Sequence, residues 1–367
     1  MKSIIKKEFS APGRVEICGN HTDHQHGPVL TAAIDLETRC VAAANGTSFV
    51  RIVSEGFDPV EVDLNDLAKR EDERNTTAAL VRGVAAWFKD KGFAVSGFHA
   101  ELKSEIPVGK GLSSSAAFEV LMGRVFSGLF GFGASPLDIA LAGRFAENVY
   151  FGKPCGLMDQ AASSFGGCMM IDFRDPQAPV ITPVSADLSG YSMCVVAVDD
   201  SHADLTPDYA AIHDEMVDVA AFFGKEVLRD LPPDEFYAAI KDLRRLGDRP
   251  VLRAIHFYED SRRVTEQAAA LTKGDVKGFL RLVTESGRSS FTCLQNIYSP
   301  RSVNRQGLSL ALAIAGQVLG DEGACRVHGG GFAGTILAFV PDALKDEFTG
   351  RMSAVFGEGC CYFLRIR

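Results

Sequence analysis

The chain has 367 residues, 46% of them apolar, and a formal net charge of −9. That length exceeds the roughly 250–300 residues at which a single core stops growing, so two domains are expected. The acidic balance, with no dense basic stretch, argues against nucleic acid or an anionic membrane as partner.

Met1 to Phe9 carries lysines but no apolar core and does not read as a secretory signal. The longest apolar stretch, Leu308 to Leu319, is broken by Gly316 and Gln317 and is too short for a bilayer. Nine cysteines lack a tight spacing, and Cys360 beside Cys361 suits neither a disulfide nor a zinc knuckle, so reduced thiols in a cytoplasmic protein are expected. Asn45 and Asn75 open Asn-x-Thr triplets, read as chance without a secretory signal.

Arg39 to Ala43 and Phe49 to Val53 are β-prone runs separated by Asn45-Gly46, which predicts a hairpin. Ala78 to Phe88 reads as a helix stopped near Gly92, and Gly97 to Glu105 as a strand leading into the Gly-rich segment Pro107 to Ser115. A helix follows over Ser113 to Phe126. Ser135 and Pro136 signal the start of the next, on which Leu137, Leu141, Phe145 and Val149 form a predicted core stripe with Glu147 off it. Gly152 and Pro154 end that helix. Val195 to Asp199 is a predicted strand. Helices are predicted near Pro207–Phe223, Pro233–Leu246, Val251–Leu271, Gly278–Ser286 and Gly307–Leu319. Strand, Gly-rich loop and strand follow over Ala324–Val340, then a short helix after Pro341 and a last strand, Cys360–Arg367. The second half suits helices on an antiparallel sheet.

Four segments carry chemistry. In Pro107-Val-Gly-Lys-Gly-Leu-Ser-Ser-Ser-Ala-Ala-Phe118, glycines let the backbone approach an anion, a helix N-terminus offers unpaired N–H groups, and serine hydroxyls can bind phosphate or magnesium. Lys110 is followed by Gly111, so this is not a Walker A loop. Gly13-Arg14-Val-Glu16-Ile-Cys-Gly19-Asn20-His21-Thr22-Asp23-His24 packs one arginine and several hydrogen-bonding groups into a loop, which suits a polyhydroxylated ligand. The spacing of His21, His24 and His26, without a cysteine or second cluster, argues against a metal site. In Cys155-Gly-Leu-Met-Asp159-Gln160 one acid follows a helix, and reads equally as a base or as a helix cap. Arg326-Val-His-Gly329-Gly-Gly331-Phe-Ala-Gly-Thr335 places three glycines between strands, for close approach to a ligand or other loops, or for a tight turn.

Together these segments resemble the galactokinases of the GHMP kinase superfamily. The second is similar to the signature Gly-Arg-Val-Asn-Leu-Ile-Gly-Glu-His-Thr-Asp-Tyr, the first to Pro-x-Gly-x-Gly-Leu-Ser-Ser-Ser-Ala, the third to Cys-Gly-Ile-Met-Asp-Gln, and the fourth to the third GHMP motif, in the family's order. The resemblance implies an α+β, two-domain GHMP kinase fold. Its N-terminal α/β domain, of the ribosomal S5 domain 2-like type, would span 1–198 and its ferredoxin-like C-terminal domain 199–367. It implies ATP on Gly109, Lys110, Gly111, Leu112, Ser113, Ser114 and Ser115, and Mg2+ on Ser115 and Glu147. It also implies a catalytic Asp159 beside Arg14, with Asp159 either a true base or an electrostatic stabiliser. The sugar would meet Asn20, His21, Asp23, Gly156 and, on a looser match, Tyr209. A small-molecule sugar and ATP are then the partners of a monomer or weak homodimer.

The chain departs from the family where Asn20 stands for Glu and His24-Gln25 for Tyr-Asn. The family Glu contacts the C6 hydroxyl of galactose, and would repel a C6 carboxylate by about 4 kcal/mol at ~4 Å in an effective dielectric near 20. His21-Thr-Asp-His-Gln25 is also similar to plant galacturonokinases. Galactose is the default substrate and galacturonate the alternative. A non-catalytic galactose sensor would have lost residues of the serine loop, which is intact here.

Overall fold

The computed structural model describes residues 5–153, 155–198 and 205–367. The chain divides into two compact units, one made of Met1–Arg14, Ala33–Gly167 and Arg367, the other of Val15–Ala32 and Cys168–Ile366.

The first unit draws on β1 (Lys7–Cys18), β2 (Pro28–Ala44), β3 (Phe49–Ser54), β4 (Val60–Asp63), α1 (Thr77–Asp90), β5 (Phe98–Ser104), α2 (Ser114–Phe130), α3 (Pro136–Phe145) and α4 (Met158–Phe165). Its strands run β4-β3-β5-β2, with β1 also on β2. The predicted hairpin between β2 and β3 does not form. β5 enters between them, antiparallel to β2 and parallel to β3. The Asn45 side chain still closes its own turn, accepting from Thr47 N and donating to the Phe49 carbonyl. The local turn is as read; the pairing partner arrives from about fifty residues on.

Helices α1, α2 and α3 cover the sheet, with Val81, Val84, Phe88, Phe98, Val120, Leu121 and Phe126 at the centre of the core. Thr76 caps α1 by accepting from Ala79 N. Ser135 and Asp138 form a reciprocal capping box on α3. The stripe predicted for α3 is corrected. Val149 is 40% exposed, while Ile139, Ala142, Gly143, Ala146 and Tyr150 face inward. The offset begins inside α3 itself, where the small residues Ala140, Ala142 and Gly143 lie against the core with Ile139, while Leu137, Leu141 and Phe145 are only half-buried; the π-helical turn Ala146–Phe151 follows it.

The second unit contains β6 (Cys168–Asp172), β7 (Val180–Val184), β8 (Tyr191–Ala197), α5 (Thr206–Phe222), α6 (Pro233–Ala238), α7 (Ile240–Leu243), α8 (Asp248–Thr272), α9 (Val276–Ser289), α10 (Gly307–Leu319), β9 (Ala324–His328), β10 (Thr335–Pro341), α11 (Lys345–Phe356) and β11 (Cys361–Leu364). The sequence places one helix over Pro233–Leu246; the chain forms α6, α7 and a 3-10 turn instead. Asp199, the predicted end of β8, and Pro154 lie outside the described residues.

An antiparallel sheet ordered β11-β8-β10-β9 carries helices over an apolar layer of Val196, Leu308, Ala311, Ile336, Ala338 and Phe348. A second cluster joins α5 to α8 through Ile212, Met216, Leu228, Phe236 and Phe257. All nine cysteines are free thiols. No helix among the described residues is long and apolar enough to cross a membrane.

Candidate active site

In the first unit, the loop after β5 becomes a cradle because three residues take left-handed backbone angles. Gly109 has φ 74°, Gly111 φ 71° and Ser113 φ 58°. Glycine adopts this freely; for Ser113 it is strain held by its surroundings. The restraint comes from β1. Gly13 has no side chain, and a Cβ there would lie 2.7 Å from the Leu112 carbonyl oxygen, to which Arg14 N donates at 3.2 Å. Arg14 also sends Nη1 to the Gly111 carbonyl, 2.6 Å away. The serine loop is thus clipped to β1 just ahead of the α2 N-terminus.

The rest of Arg14 grips Asp159 in the first turn of α4. Its Nε lies 2.7 Å from Oδ1 and its Nη2 3.0 Å from Oδ2, and Ser113 Oγ donates to Oδ2 at 2.6 Å. Burial alone would raise the Asp159 pKa; the Arg14 charge and hydrogen bonds, with that of Ser113, outweigh it and hold the carboxyl below its usual range. Its side chain remains 31% exposed. Asp159 is therefore an ionised, oriented and accessible carboxylate.

Glu147 occupies the π-helical turn after α3 and is 2% exposed. Its Oε1 accepts from Ser115 Oγ at 3.3 Å and from Lys153 Nζ at 3.0 Å. Its Oε2 accepts from Gln160 Nε2 at 2.9 Å, and the same amide reaches Glu119 Oε2 at 2.9 Å. Glu119 is fully buried on α2. Desolvation first, then the Glu147 charge, raises its pKa well above the usual value. Gly143 makes room for this cluster, since a Cβ there would stand 3.1 Å from Glu119 Oε2. The carboxylate of Glu147 and the hydroxyl of Ser115 are hard oxygen donors, the type Mg2+ takes in ones and twos from protein while keeping water and phosphate oxygens. The residues present suit that ion.

A cavity of about 220 Å³ opens beside the serine loop. Ile52, Phe57, Leu80 and Phe118 give it apolar walls, Thr38, Ser104 and Asp58 supply polar atoms, and Ser114 and Ser115 stand in its lining. An apolar slot with a few polar groups next to this glycine- and serine-rich loop has the makeup of a small-molecule site.

The signature segment beyond Arg14 lies in the second unit and is mostly locked. Asn20 is 1% exposed. It donates to Glu16 Oε1 at 3.0 Å and to the Gly329 carbonyl at 2.6 Å, and accepts from Asn296 Nδ2 at 2.7 Å. Arg326 lies 3.2 Å from Glu16 Oε1. From α8, Asp260 Oδ2 accepts from the backbone N–H of Gly19 at 3.2 Å and of Asn20 at 3.1 Å, and His256 Nε2 donates to the Asn20 carbonyl at 2.9 Å. Thr22 Oγ1 bonds the Gly19 and Pro28 carbonyls.

His21, Asp23 and Tyr209 are half-buried, and Gly156, in the first unit, is exposed. Burial lowers the His21 pKa to about 4, so the ring is neutral at ordinary pH. Its Nε2 lies 2.9 Å from the Gly330 carbonyl and must carry the proton, leaving Nδ1 to accept from His24 Nε2 at 3.3 Å. Tyr209 donates to the Gly331 carbonyl at 2.9 Å. The glycine run has its backbone reason within this unit, since a Cβ on Gly331 would lie 2.1 Å from the Asn296 carbonyl oxygen and one on Gly330 2.6 Å from the Tyr209 ring.

The structure thus brings together Arg14, Asp159 and Ser113, and separately Ser115 and Glu147. Lys110 and Leu112 belong to the same loop. Sequence reasoning missed Glu119, Gln160, Lys153, His256 and Asp260. Glu119 carried a signal, as the only charge in the apolar run Ala116 to Met122.

Residues 79–167 match the family described as GHMP kinases N terminal domain, and residues 5–44 match the galactokinase galactose-binding signature. Among solved structures, Lactococcus lactis galactokinase complexed with galactose is similar at a TM-score of 0.83 and 25% identity, over 98% of this chain and 93% of that one. Methanococcus jannaschii mevalonate kinase shares the fold at a TM-score of 0.70 and 14% identity, over 100% and 99% of the two chains. Streptococcus pneumoniae phosphomevalonate kinase in complex with phosphomevalonate and AMPPNP shares it at a TM-score of 0.67 and 14% identity, over 98% and 100%.

Proposed function

Because the chain belongs to the GHMP kinases and is a sugar kinase of the galactokinase type, we propose that it transfers the γ-phosphate of ATP to the anomeric hydroxyl of galactose or a close galactose-configured sugar. The observation that carries this reading is the Arg14–Asp159–Ser113 constellation, which ties an ionised acid to a phosphate cradle. Phosphoryl transfer asks for positioning and charge neutralisation more than for covalent help from the protein. Asp159 accepts a hydrogen bond from the attacking hydroxyl and orients it. Its depressed pKa favours orientation and electrostatics over strong basicity. Arg14 keeps the carboxylate charged and placed.

ATP is taken by the backbone and hydroxyls of Gly109 to Ser115, with the nucleoside in the adjoining cavity. Mg2+ on Ser115 and Glu147 supplies charge neutralisation at the phosphate oxygens when bound. The sugar is assigned to His21, Asp23 and Tyr209 of the second unit, with Asn20 bracing the signature loop through Glu16, Gly329 and Asn296. The matched signature and the galactose in the Lactococcus lactis structure support this assignment. We place the protein in the cytoplasm, as a monomer or weak homodimer.

Galacturonate is a second reading. It is favoured by the absence of a carboxylate at position 20 and by the pairing of Glu16 with Arg326, which neutralises the nearest acid. ADP release with ATP and Mg2+ against galactose, galacturonate, N-acetylgalactosamine, arabinose and glucose, with Asp159→Asn as control, tests both. Turnover on galactose that Asp159→Asn abolishes supports the first reading. Turnover confined to galacturonate supports the second. Sugar binding without turnover on any sugar would leave a sensor in place of an enzyme.

A further inference from the structure

Glu147 Oε1 is approached by two groups at once, the Ser115 hydroxyl at 3.3 Å and the Lys153 ammonium at 3.0 Å. The second is unexpected in a pair suited to a divalent cation. A metal bound through this oxygen and an ammonium in contact with it would repel each other, in surroundings where Glu147 is almost fully buried. The lysine can leave: its side chain is 62% exposed, while that of Glu147 is 3% exposed. It is held at its root, because Gly152, with φ 85°, and Lys153 both donate their backbone N–H to the Glu147 carbonyl, at 3.0 and 3.1 Å. Arg14, the other cation beside these acids, is committed to Asp159 and the Gly111 carbonyl.

We infer that Lys153 is the resident counter-ion of Glu147 and a determinant of metal affinity at this site: it occupies the carboxylate in the metal-free protein and is displaced when a divalent cation arrives. The inference rests on the reading of Ser115 and Glu147 as the metal pair. No bond is made or broken; one cation replaces another at the same oxygen. The ammonium, tethered through the backbone of Gly152 and Lys153, then carries its positive charge to whatever anion the metal brings, which for this enzyme is the nucleotide's phosphate chain.

Titration of the full-length protein with Mn2+ alone, read by the electron paramagnetic resonance signal of the free ion, tests this without turnover. Lys153→Met removes the competitor and is expected to tighten Mn2+ binding by about two- to fivefold, the size of a part-exposed ion pair. Lys153→Arg keeps the charge and is expected to bind like wild type. Equal binding by wild type and Lys153→Met, binding by neither, or weaker binding by Lys153→Met overturns the inference. Glu147→Gln separates the two levels. Loss of Mn2+ binding in that variant upholds the metal pair whatever the lysine does, whereas unchanged binding sinks the metal pair and the inference with it.

Discussion

The acids of the first unit and the polar network of the second are built to opposite ends. Around the serine loop, charge is concentrated and one acid is kept reachable: Asp159 is 31% exposed at its side chain although doubly bonded to Arg14, while Glu147 and Glu119 are buried behind hydrogen bonds to Gln160. Around the signature loop, charge is consumed. Asp260 and His256 are fully buried, and they spend their hydrogen bonds on the backbone of Gly19 and Asn20. The lesson is that two equally polar motifs can differ in whether their side chains face a ligand or hold the loop that does.

That contrast can be broken by substitution. The largest effect is expected at Asp159. Asp159→Asn should lower kcat by about 10²–10⁴-fold while calorimetry still detects nucleotide and sugar binding, and a kcat within tenfold of wild type would remove Asp159 from the chemistry. Asp260→Ala should act on stability instead. It strips two buried N–H groups of their acceptor and leaves Arg263 and Arg326 less compensated, for a loss of about 3–5 kcal/mol in denaturant unfolding.

Asn20→Glu is expected to destabilise more modestly, by setting a second carboxylate against Glu16 beside a single arginine. Glu16→Asn with Asn20→Glu, which restores the family's order of amide and acid, should recover about 0.5–3 kcal/mol of that as coupling energy in a double-mutant cycle. Assayed on galactose and galacturonate, the same variants separate bracing from specificity.

The smallest effect is expected at Glu119, and it depends on pH. Burial, then Glu147, raises its folded pKa, so folding takes up a proton and stability falls as pH rises past the ordinary glutamate value of about 4.3. Glu119→Gln should abolish that decline. Denaturation midpoints should be similar at pH 4 and favour the variant at pH 8; parallel pH profiles would contradict the assignment.

Much of the first unit could be read in advance, because its signals are local. The glycines and serines of Pro107 to Ser115 specify their own backbone, and Ser135 and Asp138 their own cap. What escaped reading depends on partners far along the chain. The Asn45-Gly46 turn says nothing of the strand that enters beside it. Glu119 stands out as a lone charge in its apolar run, but its partners Gln160 and, through it, Glu147 come from elsewhere in the chain. On α8, Arg253, His256, Asp260, Arg263 and Gln267 recur at helical spacing and imitate a solvated face; all five are buried, and His256 and Asp260 hold the signature loop.

The π-helical turn at Ala146–Phe151 carries a consequence for chain length. Such a turn accommodates one residue more than the α-helix it interrupts. Deleting Asn148 would let the helix run on regularly, but it would remove the side chain that bonds both backbone groups of Cys155 and would turn the buried Tyr150 off the core. Every later position would then swing by about 100° about the axis, and Lys153 would lose its place beside Glu147. The mended helix would part Lys153 from the carboxylate proposed to hold the cation, so the residue count across this turn sets whether that pair can form.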